Sequence, residues 1–104
     1  MDINKDEIKL YQKAIDKWGV EIQLVVLMGE CAGLIKECSK ILREKRLSCG
    51  GVSFLTQQDF IAECIDVMIM INQMHYGWLG DSIEWDTNKN QKLSKVAEWL
   101  SDDI

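Results

Sequence analysis

Two carboxylates three residues apart, Glu63 and Asp66, lie in an otherwise apolar run from Ile61 to Met68. In a helix, that spacing puts both side chains on one face. A second set of polar groups recurs every seven residues at Gln23, Glu30 and Glu37, two helical turns apart along a single stripe. Two antiparallel helices that turn such carboxylates toward each other form an oxygen-rich cage of the kind that holds Mg2+ or Mn2+. Taken one at a time, these acids are ordinary solvated residues of amphipathic helices. Glu63 and Asp66 stand apart because Ile61, Ala62, Cys64, Ile65, Val67 and Met68 hem them in, and acids so placed are rarely left without a partner.

Long helices must carry these groups. The chain has no proline and shows sustained 3.6-residue periodicity, which predicts an all-α fold in a single domain over residues 1–104. A first helix is expected over Lys5–Lys17, with Asn4 and Glu7 forming a capping box and Gly19 at the exit. A second runs from Val20 to Lys45 and ends at Ser48-Cys49-Gly50-Gly51. A third covers Gln57–Trp78, capped by Thr56 and frayed at Gly77 and Gly80. A fourth spans Thr87–Leu100, with Leu93, Val96, Ala97 and Leu100 on one stripe.

Composition narrows the functions open to such a bundle. Of 104 residues, 47% are hydrophobic, which excludes disorder. Apolar runs such as Leu24–Met28 and Val67–Ile71 fall far short of the ~20 residues a bilayer span needs. The first twenty residues mix charges of both signs and do not resemble a secretory signal. Cys31, Cys38, Cys49 and Cys64 form no C-x-x-C pair, so the reading is free thiols in a reducing cytoplasm, with Cys31, Cys38 and Cys64 filling core space. His75 is expected as a surface or interface residue.

The net charge of −5 argues against general nucleic-acid binding. A basic cluster from Lys36 to Arg46 precedes a stretch, Leu47 to Asn88, with neither Lys nor Arg but with Asp59, Glu63, Asp66, Asp81, Glu84 and Asp86. A helix-turn-helix DNA reader would need a basic recognition face, which that stretch lacks. Leu24–Met28 and Val67–Ile71 are apolar around the whole helix and must be buried on every side. Two further helices in so short a chain cannot cover them, so a homodimer or dimer of dimers is expected, its long helices forming a shared bundle.

The run Trp18-Gly19-Val20-Glu21-Ile22-Gln23-Leu24, then Glu30 and Leu34-Ile35-Lys36, resembles the opening of the MazG-like all-α NTP pyrophosphatases. Ala62-Glu63-Cys64-Ile65-Asp66-Val67 is similar to that family's Glu-x-x-Asp motif, and Lys89-x-x-Lys92-Leu93 to its late basic motif. The resemblance covers Trp18 to Leu100 in order. It implies an oligomeric helical bundle that hydrolyses a nucleoside triphosphate to a monophosphate and pyrophosphate with Mg2+, or Mn2+, as cofactor. By position, Glu30, Glu63 and Asp66 would be the catalytic metal ligands. Lys36, Lys40, Lys89 and Lys92 would meet phosphates, and Trp18 and Gln23 the nucleoside; the plain alternatives for the last two are a core aromatic and a surface amide.

The chain departs from that pattern at its first motif. Where the family has Glu-Glu-x-x-Glu, this sequence reads Gly29-Glu30-Cys31-Ala32-Gly33, and Gly33 stands where a metal ligand belongs. Each helical glycine also costs about 1 kcal/mol relative to alanine. Mg2+ can complete its coordination with water, so weaker binding is expected before outright loss. The small-x-x-x-small pair Gly29 and Gly33 also suits close helix approach. That leaves a second hypothesis open, a catalytically inactive MazG-like helical protein acting by binding or regulation.

Overall fold

The computed structural model describes residues 3–48, 50–80 and 83–102, and among these the chain forms four α-helices and no strand. Cys49 and Asp81 lie outside the described residues. Helix α1, Lys5–Trp18, begins as its sequence dictates: the Asn4 side chain accepts the Glu7 backbone N–H at 2.8 Å, and Asp6 and Glu7 place negative charge at the positive end of the helix. At Gly19, with φ +85°, the chain turns by 112° in a single residue into α2, Val20–Leu47. The Gly19 N–H closes α1 on the Ile15 carbonyl at 2.8 Å, a left-handed cap that disfavours any side chain. With 28 residues, α2 is about 42 Å long.

Helix α3, Phe54–Met74, starts three residues before the predicted Gln57. Its cap is Ser53, whose hydroxyl accepts the Thr56 N–H at 3.2 Å, so Thr56 belongs to the first turn and is not the cap. The reason is Glu44, near the end of α2. It accepts the Ser53 N–H at 2.9 Å and the Thr56 hydroxyl, clasping the two helix ends together. These bonds, the Thr56 hydroxyl foremost, hold the Glu44 carboxyl below the usual carboxylate range.

The predicted single helix to Trp78 gives way after Met74 to a π-helical turn, His75–Leu79. Gly77 is not a frayed end but a point of close approach. A Cβ there would lie 2.7 Å from the Tyr11 carbonyl oxygen and 2.8 Å from Ile15 Cγ1. The wider π turn thus lets α1 lie directly on the backbone. Tyr11 of α1 and Val67, Met70 and Met74 of α3 are the buried apolar residues among those described. Antiparallel packing of α2 on α3 forms the rest of the body.

Helix α4, Ile83–Asp102, begins earlier than the predicted Thr87 and leaves every one of its described side chains exposed. Large apolar side chains of α2 and α3 are also exposed in the single chain, including Val25, Met28, Ile35, Ile65 and Met68. Cys31 and Cys38 are exposed and Cys64 half-buried, so the expected core role fails in the isolated chain for Cys31 and Cys38, whose side chains stand on solvent-facing sides of α2. No single helix among the described residues is long and apolar enough to cross a membrane.

Candidate functional site

The antiparallel α2–α3 pair keeps one register along its length. Gln23 and Glu30 are seven residues apart on α2, as are Asp66 and Gln73 on α3, so two turns down one helix match two turns up the other. At one level the Gln73 amide donates to Gln23 Oε1, and both side chains are buried. At the other, Glu30, Glu63 and Asp66 converge, each offering an oxygen within 4.8 Å of the others.

Glu30 and Glu63 are half-buried and Asp66 is exposed. Glu30 Oε2 and Glu63 Oε2 are shielded from solvent without a hydrogen-bond partner among the described residues. Desolvation, followed by repulsion from Glu63 and Asp66, raises the Glu30 carboxyl above its ordinary value. The arrangement is a compact anionic seat that is open on the Asp66 side. Its oxygen donors suit a hard divalent cation such as Mg2+ or Mn2+.

The two glycines of the first motif turn out to be unlike. A Cβ on Gly33 would sit 2.7 Å from Glu63 Oε1, 2.9 Å from its Cδ and 3.0 Å from its Oε2, so residue 33 faces the carboxylates directly. Nothing lies within 4 Å of the corresponding position on Gly29. The pair therefore makes no close helix–helix approach within the chain; one glycine looks into the site and the other away from it.

Glu37, one turn beyond Gly33, is engaged elsewhere. It pairs with Lys40 at 2.8 Å, and Lys40 also meets Asp59 at 3.0 Å. Both carboxylates raise the Lys40 ammonium pKa, Glu37 first, and occupy a cation that the sequence offered for phosphate. Lys36 is exposed on α2. Trp18 is about half exposed at the end of α1, with Lys17 Nζ 5.4 Å from its ring centroid, and so is not a core aromatic. Gln23 is not a surface amide, because the Gln73 pairing takes it inside. Lys89 and Lys92 line a groove of about 810 Å³ with Leu79, Trp85, Leu93 and Val96, and none of the three clustered carboxylates borders it.

Two residues of this region escaped the sequence reading. Gln73 was detectable, since it repeats from Asp66 at the same seven-residue interval as Gln23 from Glu30. His75, expected as a surface or interface residue, is buried within the chain. Its ring stacks on Tyr76 and Trp85, each at a 4.0 Å centroid distance, because the π turn rotates it inward and α4 brings Trp85 over it. No local pattern announces a π turn. Set against protein-family models, curated proteins and solved structures, the chain gives no match.

Proposed function

We propose that this chain is a MazG-like, Mg2+-dependent nucleoside triphosphate pyrophosphohydrolase, weakened by the loss of an acidic ligand and acting as a homodimer or dimer of dimers in a reducing cytoplasm. The observation that carries this reading is the convergence of Glu30, Glu63 and Asp66 across α2 and α3, with their oxygens within 4.8 Å. The shielded, unpartnered oxygens of Glu30 and Glu63 support it, because three carboxylates held this close repel one another until a cation joins them. When bound, a divalent ion neutralises phosphate charge and lowers the pKa of water.

The chain's own residues supply the rest of the site. Glu30 and Glu63 form its sheltered wall, and the exposed Asp66 forms the side that a substrate reaches first. Lys36, exposed on α2, is the basic group the chain offers a triphosphate on the helix that carries Glu30, whereas Lys89 and Lys92 line the separate α4 groove. Trp18 is half exposed with the Lys17 ammonium over its ring, and is the aromatic offered for a base-stacking contact.

The second reading, an inactive relative that binds without turnover, is favoured by Gly33 alone. That residue faces Glu63 Oε1 where a further carboxylate would complete the cage. Pyrophosphate release from a panel of NTPs and dNTPs, with Mg2+ or Mn2+, separates the two. Release that disappears in Asp66→Asn supports the enzyme. Its absence at high protein concentration, with nucleotide still bound, leaves the binding module.

A further inference from the structure

The turn that joins α2 to α3 carries the most exposed large apolar side chains among the described residues. Leu47 closes α2, Phe54 and Leu55 open α3, and they are 81%, 72% and 74% exposed. An ordered frame holds them at this one end of the hairpin. The Ser48 N–H donates to the Glu44 carbonyl at 2.9 Å, the Gly50 N–H to the Lys45 carbonyl at 2.8 Å and the Gly51 N–H to the Ser48 carbonyl at 3.2 Å. The Glu44 carboxylate then clasps Ser53 and Thr56. Apolar side chains displayed together on an ordered end mark a surface of interaction.

The charge around that tip narrows what it can meet. Arg43, Lys45 and Arg46 are exposed and lie within about 6 Å of Leu47 along the α2 axis. The acids of these two helix ends are already engaged, Glu44 with Ser53 and Thr56, and Glu37 and Asp59 with Lys40. Arg43, Lys45 and Arg46 form no ion pair among the described residues. At about 3.6 residues per turn, the three point to sides of α2 other than the one on which Glu44 meets α3. They therefore ring the helix end as a collar and do not run along it as a stripe. In a chain of net charge −5, this end is a local excess of positive charge.

We infer that this tip docks end-on against an anionic lipid surface, Leu47, Phe54 and Leu55 entering the acyl boundary while Arg43, Lys45 and Arg46 rest among the anionic headgroups. A lipid surface presents both halves in the matching order, an anionic layer with an apolar layer beneath it. A partner helix would need a concave apolar seat, and a nucleic-acid strand a stripe of cations with which to track its phosphates. The tip instead protrudes, and its cations encircle it. Such docking needs no spanning helix, and three apolar side chains with three cations give reversible, salt-sensitive attachment. It is independent of what the acidic cluster between α2 and α3 binds.

Flotation of the full chain with vesicles is the test. Phosphatidylcholine vesicles containing about 30% phosphatidylserine are expected to float the chain, and phosphatidylcholine alone to leave it behind. Raising NaCl to about 1 M, where charges are screened within about 3 Å, is expected to release most of it. Lys45→Gln combined with Arg46→Gln is expected to weaken binding about 25-fold, or about fivefold per cation. Phe54→Ser is expected to weaken it about tenfold, and Lys13→Gln, an exposed cation of α1, to leave it unchanged. All these side chains are exposed, and circular dichroism verifies that each variant keeps its helices. Nitroxide-labelled lipid in bicelles of the same composition then locates the contact, with the 15N amide signals of Leu47, Phe54 and Leu55 expected to broaden first. Equal binding to vesicles with and without phosphatidylserine, or to neither, overturns the inference, as does broadening centred on Leu93 and Leu100 of α4. Equal affinity for a single-stranded oligonucleotide or for polyglutamate, unaltered by Phe54→Ser, makes the tip a general polyanion contact and overturns it as well.

Discussion

Placing a carboxylate at residue 33 with Gly33→Glu tests whether that position belongs to the proposed cation site. The new Cβ would start 2.7 Å from Glu63 Oε1 and must reach about 3.4 Å, a shift of about 0.7 Å that the flexible end of Glu63 can make without moving backbone. Turning that side chain off its preferred rotamer costs about 0.5–1.5 kcal/mol. Replacing a mid-helix glycine returns up to about 1 kcal/mol with alanine and somewhat less with glutamate. Gly33→Ala is therefore expected to be close to neutral in stability, and it displaces Glu63 without adding a ligand. Gly33→Glu adds the ligand, and with it a fourth negative charge that lowers stability when metal is absent.

The difference between the two variants appears when metal is added. At a cation concentration ten times the dissociation constant, binding stabilises the folded state by about 1.4 kcal/mol, which moves the melting temperature of a domain this size by about 6–11 °C. If the restored carboxylate tightens binding tenfold, the same concentration becomes a hundred dissociation constants. The gain rises to about 2.7 kcal/mol, or roughly a further 5–10 °C. The assay is thermal unfolding at fixed protein concentration over a MnCl2 or MgCl2 titration, for wild type, Gly33→Ala and Gly33→Glu. Equal metal increments in all three refute the placement of a cation between Glu63 and residue 33. An equal gain in the alanine and glutamate variants shows that displacement of Glu63, not a new ligand, is responsible.

Other expectations follow from the packing around the site. Gln23→Leu strands the buried Gln73 amide and should cost about 1–3 kcal/mol, whereas Gln23→Leu with Gln73→Leu should recover most of it; urea unfolding of the single and double variants measures the coupling. Gly77→Ala drives a Cβ toward the Tyr11 carbonyl, which is backbone and cannot turn aside, so a loss of about 1–3 kcal/mol is expected in the same assay. Because the Glu44 carboxyl is held below its ordinary value, its contribution is complete above the unfolded-state value near 4.5 and is lost as pH falls through the lowered folded value. Stability measured from pH 6 down to pH 3 should therefore drop less steeply in Glu44→Gln than in wild type; parallel curves would show that the clasp on Ser53 and Thr56 contributes nothing.

The parts of this fold that were readable from sequence are those where one periodicity governs many residues. Helices α1 and α2 were bounded to within a residue or two, because Asn4 with Glu7 and the lone Gly19 are local signals with local causes. Glu63 with Asp66, and Glu30 with Gln23 and Glu37, were readable as two one-sided sets because a shared helical face follows from spacing. The grouping of Glu30 with Glu63 and Asp66 came from the motif resemblance, and the three do converge in the fold. What stayed hidden depended on contacts between distant segments. The start of α3 is decided by Glu44, nine residues before the Ser53 that it clasps. The inward turn of His75 is decided by α1 lying against Gly77 and by Trp85 reaching back from α4.

Gly29 and Gly33 show the same division within one motif. In the sequence each carries the same helix cost, and only the motif resemblance, which sets Gly33 at a ligand position, tells them apart. Across the α2–α3 interface they separate, because only Gly33 has Glu63 opposite it. The register that pairs Gln23 with Gln73 also sets Gly33 against Glu63, and it is carried by buried amides that no charge pattern reveals. The polar pair therefore aligns the two helices so that their carboxylates meet, with Gly33 facing Glu63 across the interface. On the proposed reading, the frame of a cation site stands while one of its walls is open, and a single substitution at Gly33 is therefore the most informative change to make.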